Sequence, residues 1–503
     1  MPMAVADRPT IAARNPRTSP PGARSAVSVP WKRVSTSIGM ALLGVLLFHG
    51  HASGQPIDPI RVGTIIPVVV TKAEPDQTYA LYLPSSYSTR RKWPVIYAFD
   101  PAARGQTPLE CFKEAAEKYG YILVASNTSR NGPVPPSLRA GLAMMRDTLD
   151  RFSIDQRRLY ATGFSGGARV ACTLAQMQKG GIAGVIGCAA GFPDEENPSG
   201  QTPFAFCGTI GNEDYNWTEM NRLDRTLAAL DKPHRLLRFS GGHTWPPKDV
   251  AMAAVEWLEL QAMKAGTRPG DSALIEGWLQ RDLSRARDEE RRGALYEAWL
   301  SYTDVATAFR GLVDVQSFEA RASALQSQAI VNRQIKRERE AEDLEIARRI
   351  EIARYIGQMS DTEQRIDATH NLYALLNVLK RNEQSARTPS ERLLARRLIE
   401  HANITAFYAG QPLFDAGEYH SALTYFQLQA TIRPESSAIQ YRLAVTYARA
   451  GDKKKALEAL KNAADKGFSD AARIEQETGF DKLRSDPRYE QALEAVRRNK
   501  KPS

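Results

Sequence analysis

Residues 159 to 169 read Leu159-Tyr160-Ala161-Thr162-Gly163-Phe164-Ser165-Gly166-Gly167-Ala168-Arg169. An apolar run closes at Thr162 and an amphipathic stretch opens at Gly166, so Ser165 falls on a sharp strand-to-helix turn. Small neighbours there permit a strained backbone and leave the hydroxyl exposed, and the helix N-terminus favours negative charge developing beside it. An ordinary strand-to-helix turn would use the same glycines. The motif therefore assigns chemistry only in company.

The surroundings supply that company. Short apolar runs bounded by turn residues occur at Thr64–Val70, Tyr79–Leu83, Val95–Phe99, Tyr121–Ala125, Leu159–Thr162, Gly184–Ala189, Phe204–Thr209 and Arg235–Phe239. Amphipathic stretches at Pro108–Tyr119, Ser137–Phe152, Gly166–Gln178, Met220–Leu230 and Lys248–Met263 alternate with the later ones. This alternation predicts a mostly parallel sheet with helices on both faces, whose sites form at the carboxyl ends of the strands.

A serine hydroxyl needs a base. Between residues 60 and 400 the histidines are His234, His243 and His370. His370 lies in a helical stretch and His234 enters the last strand at its amino end. His243 follows that strand in Ser240-Gly241-Gly242-His243-Thr244-Trp245-Pro246, at the same sheet edge as Ser165. The third member must orient the imidazole. Asp194, Glu195, Glu196, Glu213, Asp214, Glu219, Asp224 and Asp231 lie between Ser165 and His243. The loop after Phe204–Thr209 carries Glu213 and Asp214; Asp214 is the first choice and Glu213 the alternative, and either could instead cap the helix beginning near Thr218. Of the two oxyanion donors, the first is the Gly166 amide. The second is expected from Asp100-Pro101-Ala102-Ala103-Arg104-Gly105, where Pro101 has no N–H and Ala102 is the choice. Asp100 must then turn away or pair with Arg104. Phe164 and Trp245 are expected to flank a substrate pocket, although both suit packing equally.

Residues 60 to 264 resemble the polyhydroxybutyrate depolymerase and feruloyl esterase-like branch of the α/β-hydrolases. The matching pieces are Ile154-Asp155, Arg158-Leu159-Tyr160, Gly163-Phe164-Ser165-Gly166-Gly167, Gly211-x-x-Asp214 and Gly242-His243-Thr244-Trp245-Pro246. The resemblance implies a Ser165, His243 and Asp214 triad that cleaves carboxylic esters through an acyl-enzyme. It implies no metal or organic cofactor. The chain carries Asp100-Pro101 where His-Gly is usual in that family. A serine peptidase on the same triad, or a scaffold with a degenerate hydrolase domain, are the alternatives.

Beyond this region the composition changes. Ala265-Gly266-Thr267-Arg268-Pro269-Gly270 is rich in breakers, and after it strand signals nearly vanish. Apolar residues such as Leu274/Trp278 and Leu295/Trp299 recur at helical spacing, while Lys336 to Glu351 is dense in alternating charge, the solvated face of a long helix. Ala416-Gly417-Glu418-Tyr419-His420-Ser421-Ala422-Leu423 returns as Ala450-Gly451-Asp452-Lys453-Lys454-Lys455-Ala456-Leu457 at an offset of 34, the period of tetratricopeptide repeats. The expected segments are 1–54 (signal peptide and extension), 60–264 (α/β-hydrolase domain), 265–271 (linker), 272–400 (helical region) and 401–496 (tetratricopeptide repeat-like helices).

Hydrophobic residues at 43% and charged residues at 25% supply real cores and argue against wholesale disorder. Residues 1–54 hold six basic groups and one acid, so half of the formal net charge of +10 resides there. No basic stripe with interleaved aromatics remains, and nucleic acid is not an expected partner. Trp31-Lys32-Arg33, the apolar run Ile38–Phe48 and His51-Ala52-Ser53-Gly54 read as a secretory signal cleaved near Gly54. The run is short of the ~20 residues of a spanning helix, so the mature chain is expected to have no membrane span. No cysteine precedes Cys111, which excludes a lipidated cysteine at the cleavage site. A periplasmic or secreted protein is expected. Its partners would be a small or polymer-attached ester and, through the repeats, a protein. Cys111, Cys172, Cys188 and Cys207 could pair after export or remain as buried thiols.

Overall fold

The computed structural model describes residues 61–193 and 196–499. The expected signal segment, and Asp194 and Glu195 among the candidate acids, lie outside the described residues. In chain order the first half contains β1 (Ile65–Val70), β2 (Thr78–Tyr82), β3 (Trp93–Phe99), α1 (Gln106–Tyr119), β4 (Ile122–Ser126), α2 (Val134–Arg151), β5 (Ile154–Phe164), α3 (Gly166–Met177), β6 (Gly184–Cys188), β7 (Ala205–Gly211), α4 (Trp217–Ala229), β8 (His234–Phe239) and α5 (Lys248–Lys264).

The strands form one sheet in the order β1-β2-β4-β3-β5-β6-β7-β8. β2 runs antiparallel to β1 and β4, and all pairs from β4 to β8 are parallel. Every residue of β3, β6 and β7 is buried, as a strand covered on both faces must be. After β3 the chain steps outward to β4 and returns to the other side of β3 as β5, pairing Phe99 with Gly163. This reversal is a topological switch point, where connections leaving adjacent strand ends part in opposite directions and open a crevice. The loops after β3 and β5 flank that crevice.

The helical half contains α6 (Ser272–Arg291), α7 (Leu295–Phe309), α8 (Gln316–Gln326), α9 (Ala329–Gln358), α10 (Arg365–Ser385), α11 (Pro389–Asp415), α12 (Tyr419–Ile432), α13 (Ser437–Arg449), α14 (Lys453–Asp465), α15 (Ala471–Gln476) and α16 (Pro487–Arg498). Residues 265–271 make a tight turn rather than a spacer: the Thr267 amide donates to the Ala262 carbonyl at 3.0 Å, and Arg268 pairs with Glu259. The apolar stripe Ile275, Trp278, Leu279 and Leu283 of α6 then returns onto the sheet layer, and one continuous apolar core runs from Tyr79 to Leu325. A buried ion pair, Arg235 on β8 to Asp282 on α6 at 2.6 Å, fixes the contact. Burial alone would raise the Asp282 carboxyl, but Arg235 and Arg281 hold it below the usual carboxylate value. A pair buried this deeply sets geometry more than it adds stability, and losing one member leaves an uncompensated charge.

Two further apolar clusters lie in the helices, one joining α9 to α12 and one joining α12 to α16. The internal repeat is visible in the turns. Between α11 and α12 the Gly417 amide donates to Phe414 at 3.0 Å and Glu418 to Leu413 at 2.8 Å. The same pair recurs at the 34-residue offset between α13 and α14, as Gly451 to Ala448 at 3.1 Å and Asp452 to Tyr447 at 2.9 Å. Gly417 and Gly451 have φ of 82° and 85°, the left-handed conformation that ends a helix and favours glycine. All four cysteines are free thiols, and burial pushes Cys188 up to about 12.

His401 of α11 is held neutral: burial, then the charge of Arg349, lowers it from 6.5 to about 3. Between those values the unfolded chain binds a proton that the folded chain does not. Its contribution to stability is thus present above pH 6.5 and is lost as pH falls toward 3. Each such group steepens the loss by about 1.4 kcal/mol per pH unit. Denaturant unfolding across this range should show a shallower slope for His401→Leu than for the native chain; equal slopes would refute a neutral His401.

Candidate active site

The turn between β5 and α3 builds the site. Ser165 adopts φ 53°, ψ −122°, a strained conformation for a residue with a side chain, and occupies the N-cap position of α3. Its amide donates to the Cys188 carbonyl at 2.9 Å, anchoring the turn to β6. The flanking glycines are required by contact. A Cβ on Gly163 would sit 2.1 Å from the Gly167 carbonyl oxygen, and one on Gly167 would sit 2.1 Å from that of Phe99. The switch point is so narrow here that strand and helix meet backbone to backbone.

Asp214, 1% exposed, lies in the loop between β7 and α4, where its Oδ1 accepts the Asn216 amide at 2.8 Å. His243, in the loop after β8, places Nδ1 2.9 Å and 3.0 Å from the two Asp214 oxygens. A carboxylate can only accept, so Nδ1 carries the proton and Nε2 of the neutral ring is an acceptor. That acceptor is occupied by a residue the sequence reading passed over. The Tyr215 hydroxyl donates to Nε2 at 2.9 Å, with the Ser165 side chain close enough to influence its phenol. The resulting hydrogen-bonded series runs from Tyr215 through His243 to Asp214, beside Ser165. Burial pushes the Tyr215 phenol well above its ordinary value, so it stays neutral. Tyr215 follows Asp214 directly, and that adjacency was the signal available in the sequence.

The other candidates separate cleanly. Glu213 turns away to Arg396 of α11. Glu196 bonds Thr173 at 3.2 Å, Glu219 pairs with Arg169 at 2.9 Å, Asp224 pairs with Arg238, and Asp231 lies in the turn after α4. His234 faces the Lys232 carbonyl at 2.7 Å, at the amino end of β8, and His370 lies on α10.

One expectation needs correction. Ala102 is not a free oxyanion donor, because its amide donates to Asp100 Oδ1 at 2.9 Å. The Asp100 carboxylate folds back on its own loop, as aspartate does when it accepts the amide two residues on. It also receives Arg104 Nε and Nη2 at 2.9 Å and 3.0 Å and Trp245 Nε1 at 3.0 Å. Burial would raise its carboxyl, but the bonds from Arg104, Trp245 and Ala102 hold it below the usual value. Phe164, 7% exposed, packs against the His243 ring, centroids 4.6 Å apart, and against Trp245. Trp245 is half-buried and tied to Asp100.

The helical half reaches this site. Arg397 of α11 donates to the Asn212 carbonyl at 3.1 Å and to Glu345 of α9 at 2.9 Å, bracing the loop that carries Asp214 and Tyr215. Tyr408 of α11 accepts a hydrogen bond from Asn131 Nδ2 at 3.2 Å, across 277 residues of sequence. Asn131 lies in the loop after β4, against Gly166. Neither was foreseen; Asn131 is at the correct sheet edge, whereas nothing in the sequence marks Tyr408.

The strand order and the strained serine turn after β5 together define the α/β-hydrolase fold, here continued by a helical half. No family model and no curated protein matches the chain. Among solved structures it is similar to a thermostable esterase at 19% identity, over 38% of this chain and 61% of that one, with a TM-score of 0.31. It is similar to Est1E from Butyrivibrio proteoclasticus at 13% identity, over 37% and 94% of the two chains, TM-score 0.31. A third is the S-formylglutathione hydrolase of Staphylococcus aureus, at 12% identity over 39% and 98%, TM-score 0.32.

Gly167→Ala forces a side-chain carbon into a backbone carbonyl and should destabilise the chain by roughly 3 kcal/mol or more in chemical denaturation. Gly166→Ala meets only the Asn131 side chain, 2.0 Å from the added carbon, and should be the milder of the two. Equal losses would mean the turn relaxes freely.

Proposed function

We propose that this chain is an exported serine hydrolase that cleaves carboxylic esters through an acyl-enzyme, of the polyhydroxybutyrate depolymerase and feruloyl esterase-like kind. Its C-terminal helices are a tetratricopeptide-type array offering a surface to a protein partner. The observation that carries the reading is the hydrogen-bonded series Tyr215–His243–Asp214 beside Ser165, which sits on the strained turn at the switch point.

In this reading Ser165 Oγ attacks the ester carbonyl carbon. Its proton passes to the Tyr215 oxygen as the Tyr215 proton passes to His243 Nε2, so no tyrosinate accumulates. Asp214 stabilises the resulting imidazolium through Nδ1–H. The carbonyl π electrons move onto oxygen, facing the Gly166 amide and the N-terminus of α3. Collapse expels the alkoxide, which takes a proton back along the same route, and water repeats the sequence on the acyl-enzyme.

A fluorophosphonate should label the chain, and Ser165→Ala should abolish the label. A folded chain that takes no label would sink the hydrolase reading and leave a binding protein. Parallel turnover of p-nitrophenyl esters and of peptide amides would separate an esterase from a peptidase. Tyr215→Phe removes the relay and should lower kcat by about 10²-fold, the scale of general acid–base assistance; unchanged or raised kcat would mean that Ser165 meets His243 directly once the tyrosine is out of the way. Export predicts that the protein recovered from cells begins near Gln55, as read by intact mass; a chain retaining residues 1–54 would contradict it.

A further inference from the structure

The loop that carries Asp214 is held from two sides. Toward the sheet it is stitched to the loop that carries His243: the Asn212 amide donates to the Phe239 carbonyl at 2.9 Å, the Glu213 amide donates to the Gly241 carbonyl at 2.9 Å, and Asn212 Oδ1 accepts the Gly241 amide at 3.1 Å. Two of its groups, the Asn212 carbonyl and the Glu213 carboxylate, face the helical half instead. Consecutive residues of α11 take them. Arg397 Nη1 donates to the Asn212 carbonyl at 3.1 Å, and Arg396 pairs with Glu213. Each arginine is anchored behind, Arg397 to Glu345 of α9 through Nε at 2.9 Å and Nη2 at 2.8 Å, and Arg396 to Glu383 of α10 at 3.1 Å. Arg397 is 7% exposed and Glu345 1%. The Arg397 guanidinium also lies over the Trp217 ring, 5.6 Å from its centroid, so one buried side chain grips both ends of the segment Asn212 to Trp217.

We propose that Arg397 is the positioning residue for Asp214, with Arg396 as a second and weaker hold, so that hydrolysis depends on the helical half. The proposal rests on the serine-hydrolase reading. A buried arginine–carboxylate pair costs desolvation, and what it returns is fixed geometry more than net stability. The geometry fixed here is that of the carboxylate whose two oxygens lie 2.9 Å and 3.0 Å from His243 Nδ1. A guanidinium suits the task, because its planar fork meets Glu345 through two nitrogens while the third reaches the loop carbonyl, a span that a compact ammonium lacks. Misplacing a catalytic group by about 1 Å can cost roughly 10²-fold in rate, even when the change lies far from the chemistry. Arg396 is 38% exposed and exchanges its partners with water, so its hold is the lesser one.

Steady-state hydrolysis of p-nitrophenyl acetate by the full chain, well below the melting temperature of each sample, tests this. Arg397→Lys keeps a counter-charge for Glu345, and Arg397→Met/Glu345→Gln removes both charges, so each drops the Asn212 contact without leaving a buried charge alone. In both, kcat should fall about tenfold or more with KM little changed. The His243 Nδ1 proton, a low-field NMR resonance while it is bonded to Asp214, should broaden or move upfield in the same variants. Arg396→Gln should lower kcat by less. The other buried pair between the two halves touches neither catalytic loop, so Arg235→Met/Asp282→Asn should leave kcat and the resonance unchanged. A folded Arg397→Lys or Arg397→Met/Glu345→Gln chain with kcat within about twofold of the native chain, or an equal loss in Arg235→Met/Asp282→Asn, would overturn the proposal alone. A native chain without Ser165-dependent turnover would overturn it together with the hydrolase reading.

Discussion

The strained turn at Ser165 is the constraint from which the rest of the site hangs. A residue with a side chain holds φ 53°, ψ −122° only when its surroundings allow nothing else. Here the surroundings are the carbonyls of Phe99 and Gly167, each within 2.1 Å of where a neighbouring side-chain carbon would stand. β3, β5 and the start of α3 are in effect pressed together at the switch point. The sheet's buried central strands supply the stability that carries the strain.

The same crevice explains how distant parts of the chain meet. The loops after β5, β7 and β8 emerge at one sheet edge, and each brings one or two polar groups: Ser165, then Asp214 with Tyr215, then His243. Asp214 is buried and fixed by the Asn216 amide, so the imidazole is oriented by a carboxylate that cannot itself reorient. Asp100 shows the reverse arrangement. Its charge would oppose an oxyanion, and five hydrogen-bond donors from its own loop and from Trp245 keep it facing inward.

The helical half is bound to the sheet domain by groups that dislike solvent-free isolation. Arg235–Asp282 is a buried pair across the two, Arg397 reaches the Asn212 carbonyl, and the core under α6 to α8 is continuous with that of the sheet. Arg396 and Arg397 brace the loop that holds Asp214, and Tyr408 touches Asn131 beside Gly166. A loop with such partners on a second layer is held more tightly than a loop open to water.

How much was legible in advance follows from range. Strand and helix periodicity are local, so the eight strands and the five helices among them could be placed, although β5 begins at Ile154, five residues before the run Leu159–Thr162. Ser165, His243 and Asp214 could be ordered because each sits beside a recognisable strand end, a local signal combined with one rule about sheet edges. The 34-residue repeat was likewise visible, since its turns use the same glycine at the same offset. What the sequence could not decide was which polar group occupies each remaining direction in space. The Ala102 amide is taken by a carboxylate two residues away, a matter of side-chain rotation; the ring of Tyr215 swings to His243 rather than to solvent; and Tyr408 reaches Asn131 only because α11 packs over the crevice. Hydrogen bonds are short-ranged and directional, so these assignments exist only once the layers have docked.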